Sequence, residues 1–150
     1  MSTDERMMLL ALEEARLAFK EDEVPVGAVI TNGASVVARA HNRTEAAKDP
    51  TAHAETLAIQ IASRALVSWR LERCTLYSTM EPCAMCIGAA INARIGRVVF
   101  GAFDERQGCC GSVADLADHW FYHSIPVIGG VCEEQCKALL SAYFDGKRKK

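Results

Sequence analysis

The chain has 150 residues, half of them hydrophobic and 24 % charged, with a formal net charge of -2. That length suits one domain with one core, so residues 1–150 are read as a single domain. The near-neutral balance lacks the basic excess usual in nucleic-acid-binding domains, and no apolar run approaches the ~20 residues of a membrane span. The acidic start, Met1-Ser2-Thr3-Asp4-Glu5, has no signal-peptide layout, which points to an intracellular, cytoplasmic protein without a membrane partner.

Ser2-x-x-Glu5 has the form of a capping box, and the apolar spacing of Met7, Leu10, Ala11, Ala15 and Ala18 predicts a helix to Lys20. Residues 24–30 read as a strand, Asn32-Gly33 as a tight hairpin turn, and residues 35–41 as the returning strand. A polar loop over 42–50 follows, and Thr51 is the expected cap of a helix to about Ala65, with His53 and Glu55 in its first turn. Residues 74–79 read as a third strand. Pro82 suits the start of a helix whose first turn carries Cys83 and Cys86 on one face. Residues 97–100 form an expected fourth strand, 101–111 a long loop, 112–118 a short helix, 125–128 a fifth strand and 133–144 a last helix. Strands alternating with helices predict an α/β fold, a three-layer α/β/α sandwich around a mixed five-stranded sheet.

Charge is unevenly placed. Asp4, Glu5, Glu13, Glu14, Glu21, Asp22 and Glu23 make the beginning acidic, and Lys147-Arg148-Lys149-Lys150 makes the end basic. That tail reads either as a solvated terminus or as an arm that touches phosphates. The seven cysteines are an odd number without a secretion signal, which argues against a disulfide framework. Cys74 reads as a buried small hydrophobe, and Cys132 and Cys136 as packing or partly exposed thiols.

The chemistry concentrates in His53-Ala54-Glu55 and Pro82-Cys83-Ala84-Met85-Cys86. Zinc prefers imidazole and thiolate ligands in a tetrahedron, and His53, Cys83 and Cys86 supply three. A structural zinc site closes with a fourth protein ligand, whereas a catalytic one leaves that position to water. Glu55 need not bind metal, and its place two residues after His53 suits a general acid and base. Taken alone, Cys-x-x-Cys is also compatible with half a zinc knuckle or with a redox pair. Two helix N-termini converging on the site favour thiolate over thiol.

The order H-x-E…P-C-x-x-C is similar to that of the zinc nucleobase deaminases. Over nearly its whole length the chain resembles the bacterial tRNA adenosine deaminases, members of the cytidine-deaminase-like fold. The resemblance rests on Glu23-Val24-Pro25-Val26-Gly27-Ala28-Val29, His41-Asn42-Arg43, Asp49-Pro50-Thr51-Ala52-His53-Ala54-Glu55 and Glu81-Pro82-Cys83-Ala84-Met85-Cys86. It extends through Ala93-Arg94-Ile95-Gly96-Arg97-Val98-Val99-Phe100-Gly101-Ala102, Gly111-Ser112, Gly129-Gly130-Val131 and Tyr143-Phe144. It implies hydrolytic deamination of the wobble adenosine of a tRNA anticodon loop to inosine by a zinc-activated water. It also implies a homodimer with active sites near the subunit interface. By the same resemblance Asn42 contacts the base, Asp104 lies near the neighbouring ribose, and Phe144 stands beside the bound loop.

The chain departs from that family where Tyr122-His123-Ser124 replaces Asn-His-Arg, a change that bears on RNA affinity more than on chemistry. Phe103 stands where a basic residue is common, and Cys109-Cys110 where small residues are expected. Trp120, Phe121 and Tyr122 offer either stacking surfaces for unpaired bases or packing for the core. Two other functions stay open at this point: a zinc deaminase of a free base or nucleoside of the guanine or cytosine type, and an inactive zinc-stabilised RNA-binding scaffold. The second predicts a fourth protein ligand from Cys109 or Cys110 and is disfavoured by an intact Glu55.

Overall fold

The structure, a computed structural model, describes residues 1–118 and 123–148. Its elements run α1 (Thr3–Lys20), β1 (Gly27–Asn32), β2 (Ser35–His41), α2 (Thr44–Ala47), α3 (Ala54–Ala65), β3 (Cys74–Met80), α4 (Ala84–Asn92), β4 (Arg97–Ala102), β5 (Val127–Ile128) and α5 (Glu133–Arg148). The five strands form one mixed sheet in the order β2-β1-β3-β4-β5. β1 pairs antiparallel with β2 and with β3, while β3, β4 and β5 run parallel. One side of the sheet packs a core of Ala28, Ile30, Leu76 and Val98 against Ala58 and Ala62 of α3 and Ile87 and Ile91 of α4. The other side packs Val29, Tyr77 and Val99 against Met8 and Leu12 of α1 and Cys136 and Leu140 of α5. The three-layer sandwich expected from the alternation of elements is therefore present.

Alternation of faces along the strands explains this division, since successive side chains point to opposite sides of a sheet. Ala28 and Ile30 face one helix layer and Val29 the other. The capping box of α1 is formed, with the Ser2 hydroxyl accepting from the Glu5 N–H and the Glu5 carboxylate accepting from the Ser2 N–H. The first turn of α1 is tied to the sheet as well. Asp4 accepts from Arg97 through Nη1 at 2.9 Å and Nη2 at 2.5 Å, and from the Tyr77 hydroxyl at 3.0 Å.

Several element boundaries differ from the sequence reading, each for a local reason. The first strand begins at Gly27 rather than Val24, because Pro25 has no N–H to give a ladder and the Val26 N–H folds back to the Val24 carbonyl at 2.8 Å. The hairpin turn is Gly33-Ala34 rather than Asn32-Gly33, since Asn32 pairs with Ser35 and Gly33 supplies the positive φ of +60°. The loop after β2 contains the short helix α2. Thr51 does not cap α3: its N–H and hydroxyl both turn to Asp49 Oδ1, at 2.8 and 2.7 Å, and His53 is the extended N-cap residue. Likewise Cys83, not Pro82, stands at the start of the next helix, as its extended N-cap. Strands β3 and β4 run on to Met80 and Ala102. β5 shrinks to Val127–Ile128 because Pro126 ahead of it has no N–H and offers only its carbonyl to Val98.

The helix expected over 112–118 is absent. The Ser112 hydroxyl and N–H, which would have capped it, both donate to Glu81, and Cys110 bridges to Asp115 instead. The last helix runs past Phe144 to Arg148. Lys147 pairs with Asp22 at 2.6 Å and Arg148 with Asp145 at 3.3 Å, and cations in a last turn suit the helix dipole.

Candidate metal centre

The sheet and α3 and α4 bring His53, Cys83 and Cys86 to one spot from positions up to 33 residues apart. His53 and Cys83 each occupy the extended residue just ahead of a helix, and Cys86 lies in the first turn of α4. Two helix N-termini, with their positive dipole ends, therefore meet at the thiols. His53 Nδ1 is 3.4 Å from Cys86 Sγ and 3.6 Å from Cys83 Sγ. Zinc bonds of ~2.3 Å to sulfur and ~2.0 Å to nitrogen in a tetrahedron separate N from S by about 3.5 Å, so these spacings fit that ion. Among the described residues this is the one group of three or more His, Cys, Asp or Glu side chains with ligand atoms close enough to share a metal. Cys109 and Cys110 do not join it, and the Cys109 thiol lies 3.5 Å from the Gln107 carbonyl instead. The arrangement thus has three protein ligands, the number that leaves a coordination position open.

The electrostatics agree with a metal-binding cluster. The hydrogen bond from Cys86, with that from His53, holds Cys83 well below the usual thiol range. The same bond to Cys83, with burial, pushes the Cys86 thiol up. The Cys83 thiol also raises His53 above the ordinary imidazole range. Metal ligation replaces such protons, because thiolate and neutral imidazole are the ligating forms. Glu55, in the first turn of α3, is 4 % exposed, and burial raises its carboxyl above the ordinary carboxylate range. A carboxyl raised toward neutrality both takes and gives a proton near pH 7.

The other sequence-predicted site residues stand at different distances from this cluster along the chain and across the sheet. Asn42, at the end of β2, is buried. The N–H of the next residue, Arg43, donates to the Ala52 carbonyl at 3.0 Å, which sets Asn42 beside the His53 segment. Asp104 is half-buried in the loop after β4, and its Oδ1 accepts from the N–H groups of Arg106 and Gln107 at 3.0 and 3.2 Å. Phe144 is not at the cluster. It sits 41 % exposed on α5, across the sheet from α3 and α4, with its ring edge-on to Tyr143 at 5.4 Å. The Tyr143 hydroxyl donates to the Asp22 carbonyl, so this end of α5 adjoins the α1–β1 connection. Of the basic tail, Lys147 and Arg148 are ion-paired, and Lys149 and Lys150 lie outside the described residues. Trp120, Phe121 and Tyr122 also lie outside them, while the His123 ring Nε2 donates to the Ile95 carbonyl at 2.9 Å.

Two buried acids organise the surroundings, and the sequence reading assigned neither a role. Glu81 is 2 % exposed and accepts from the N–H groups of Asp104, Cys110 and Ser112 at 3.0 to 3.1 Å and from the Ser112 hydroxyl. Burial works against its charge, but the Ser112 and backbone donors outweigh that and hold its carboxyl low. A Cβ at Gly108 would run into this carboxylate, so the loop closes tightly over it. Glu23 is 1 % exposed and accepts from the first N–H groups of α2. The available signal was their adjacency to Pro82 and Val24 within the motif-bearing stretches.

A family model described as the cytidine and deoxycytidylate deaminase zinc-binding region matches residues 1–102. The chain is 47 % identical to a tRNA-specific adenosine deaminase of Bacillus subtilis over 151 aligned positions, covering 100 % of this chain and 94 % of that one. It is 41 % identical to a tRNA-specific adenosine deaminase of Aquifex aeolicus, covering 93 % of each. Among solved structures, one from work on A-to-I editing by tRNA:A34 deaminases at the wobble position of transfer RNA superposes with a TM-score of 0.85 at 41 % identity, covering 89 % of this chain and 98 % of that one. A guanine deaminase from Nitrosomonas europaea superposes with a TM-score of 0.83 at 25 % identity, covering 95 % and 85 %.

Proposed function

Since the chain belongs to the cytidine and deoxycytidylate deaminase zinc-binding family, we propose that it hydrolyses the wobble adenosine of a tRNA anticodon loop to inosine. The observation that carries the reading is the three-ligand cluster of His53, Cys83 and Cys86 with the buried carboxyl of Glu55 two residues from His53. The names of its relatives, tRNA-specific adenosine deaminases at 41 and 47 % identity, support the choice of substrate.

His53, Cys83 and Cys86 would hold the zinc. A zinc ion there supplies a Lewis acid that makes water nucleophilic near neutral pH. Glu55 moves the protons: its carboxylate receives one from the attacking water and returns it to the ring nitrogen beside the reacting carbon. It then takes the remaining proton of the added hydroxyl and gives it to the amino group, so that the carbon–nitrogen bond breaks, the carbonyl forms and ammonia leaves. Asn42 binds the base from its buried position. Asp104, held by Glu81, orders the loop near the neighbouring ribose, and Phe144 supports the bound loop from the end of α5. The base must be unpaired, because the metal cluster, ringed by helix N-termini, cannot reach an atom inside a stack. An anticodon loop presents such a base without the few kcal/mol that flipping from a duplex requires.

Residues 1–150 act as one deaminase domain in this reading, supported by the single sheet with its two helix layers. The chain works as a homodimer. Supporting this, Ile61 on α3 is 41 % exposed and Gly88 on α4 has open space where a Cβ would stand, so this helix layer offers an apolar surface without bulk. It acts in the cytoplasm, a compartment that suits a chain whose seven cysteines form no disulfide; among the described residues no helix is long and apolar enough to cross a membrane.

The test is deamination of a synthetic anticodon stem-loop with adenosine at the wobble position, beside guanine, cytosine and free nucleosides. Turnover of the stem-loop is the expected result. Rapid turnover of guanine or cytosine with an untouched stem-loop would establish the free-base reading instead. Sedimentation at micromolar concentration reports the dimer.

A further inference from the structure

Glu23 has no part in the proton transfers, yet its buried carboxylate sits at the start of α2. Its Oε1 accepts from the Glu45 N–H at 3.1 Å and its Oε2 from the Ala46 N–H at 2.7 Å. Arg43, the N-cap residue of α2, makes no side-chain capping bond. A carboxylate from the α1–β1 connection therefore takes the place of the cap. Thr44 Oγ1 lies 3.5 Å from Glu23 Oε1 and 3.5 Å from Asn42 Nδ2.

The direction of this chain follows from what each group can do. A carboxylate only accepts, so the Thr44 hydroxyl gives its one proton to Glu23 and has only lone pairs left for Asn42. The amide must then turn its NH2 toward Thr44. In the opposite flip, Oδ1 would face a hydroxyl with no proton to offer. The Asn42 backbone is fixed as well, its N–H donating to the Val26 carbonyl at 3.1 Å. Among the described residues no fully buried side-chain oxygen or nitrogen lacks a partner. Asn42 Oδ1, which makes no hydrogen bond among the described residues, is therefore the part of this mostly buried side chain that meets solvent.

We propose that Glu23 and Thr44 are positioning residues that set the flip of the Asn42 amide, so that it offers a carbonyl oxygen to a hydrogen-bond donor on the target nucleotide. This rests on the reading that the chain deaminates an unpaired adenosine. Asparagine's two ends have nearly the same shape and opposite hydrogen-bonding sense. Fixing the flip decides whether the site accepts or repels an N–H or O–H at that point. The donors within an adenosine inside an RNA chain are its amino group and its ribose 2′-hydroxyl.

The experiment uses the zinc-loaded full-length enzyme and single-turnover deamination of the stem-loop. Thr44→Val removes the hydroxyl but leaves Glu23 holding the α2 amides, so zinc content and Tm stay at wild-type values. It should lower kcat/KM by about tenfold, the factor for one hydrogen bond of ordinary strength. Thr44→Ser should restore it. In an Asn42→Ala background Thr44→Val should cost nothing further, because its effect passes through Asn42. The same cycle is read on Kd for the inosine-bearing product stem-loop, so that a very slow Asn42→Ala enzyme still reports. A stem-loop with 2′-deoxyadenosine at the target assigns the donor: a persisting Thr44→Val penalty marks the amino group, and a vanished one the ribose hydroxyl. An active wild type with an unaffected Thr44→Val variant, or an equal Thr44→Val loss with and without Asn42, overturns the proposal alone. A wild type that leaves the stem-loop untouched overturns the substrate reading and the proposal with it.

Discussion

The backbone N–H of Cys109 donates to the carbonyl of Pro82 at 2.9 Å, fastening the loop after β4 to the turn that presents Cys83. This bond brings Cys109, with Cys110 beside it held by the Glu81 carboxylate, near the metal cluster without either thiol joining it. Proximity and ligation are therefore separable, and metal content distinguishes them. Cys109→Ala with Cys110→Ala should retain one zinc per chain by elemental analysis. Cys83→Ala or Cys86→Ala should lose it. X-ray absorption of the wild type should give ~2.3 Å to sulfur and ~2.0 Å to nitrogen.

Glu55→Ala should keep the fold and the zinc and lose deamination by ~100-fold to 10,000-fold, the range for a positioned proton carrier. The loss falls at the upper end if one carboxyl serves every proton step. Circular dichroism, zinc content and single-turnover rates measured on one preparation check all three statements. Turnover within tenfold of wild type would remove Glu55 from the chemistry.

Glu81→Ala strips the acceptor from three backbone N–H groups and a hydroxyl in a buried setting. Donors left without a partner cost about 1–3 kcal/mol each, and some will reach water once the loop loosens. A net destabilisation of about 3 kcal/mol is expected from urea unfolding. Protease cleavage should appear between residues 104 and 112 before it appears elsewhere. Unchanged stability and an uncut loop would show that the carboxylate is dispensable.

Acid sensitivity should trace partly to Asp4. Its hydrogen bond from Arg97 leads the causes that place its carboxyl below the ordinary value. The folded protein thus binds that proton more weakly than the unfolded chain does. The stabilisation is present at pH values above the unfolded carboxyl pKa of about 3.9, and it fades as pH falls through the lower folded value. Asp4→Asn should lower Tm at pH 7 and reduce the loss of Tm between pH 5 and 2. Parallel wild-type and Asp4→Asn curves across that range would contradict this.

The parts of this molecule legible in the sequence were those fixed by local pattern. The capping box at Ser2 and Glu5, the period of α1 and the spacing of Cys83 and Cys86 all carry their signal within a few residues. The errors came where a side chain had two offers and took the distant one. Ser112 looks like a helix cap until Glu81, 31 residues away, takes its hydroxyl and N–H. Thr51 looks like the cap of α3 until Asp49 takes both of its donors. His53, Cys83 and Cys86 stand out in the sequence because their chemistry is rare and Cys86 keeps its expected place in a first turn, but nothing local shows that His53 and Cys83 stand one residue ahead of their helices. Glu23 reads in the sequence only as part of an acidic beginning, because nothing in its neighbourhood announces that α2, a helix hidden in a polar loop, needs its carboxylate.

His53 and Cys83 are 30 residues apart, and β3 runs between the helices that follow them. No short loop brings the pair together; they meet only after α3 and α4 have docked on the same side of the sheet. A refolding chain is therefore expected to assemble the sandwich first and to acquire zinc afterwards, at a site the sheet has already shaped. In a stopped-flow experiment the recovery of far-ultraviolet signal should run at the same rate with and without zinc, and uptake of the metal should trail behind it.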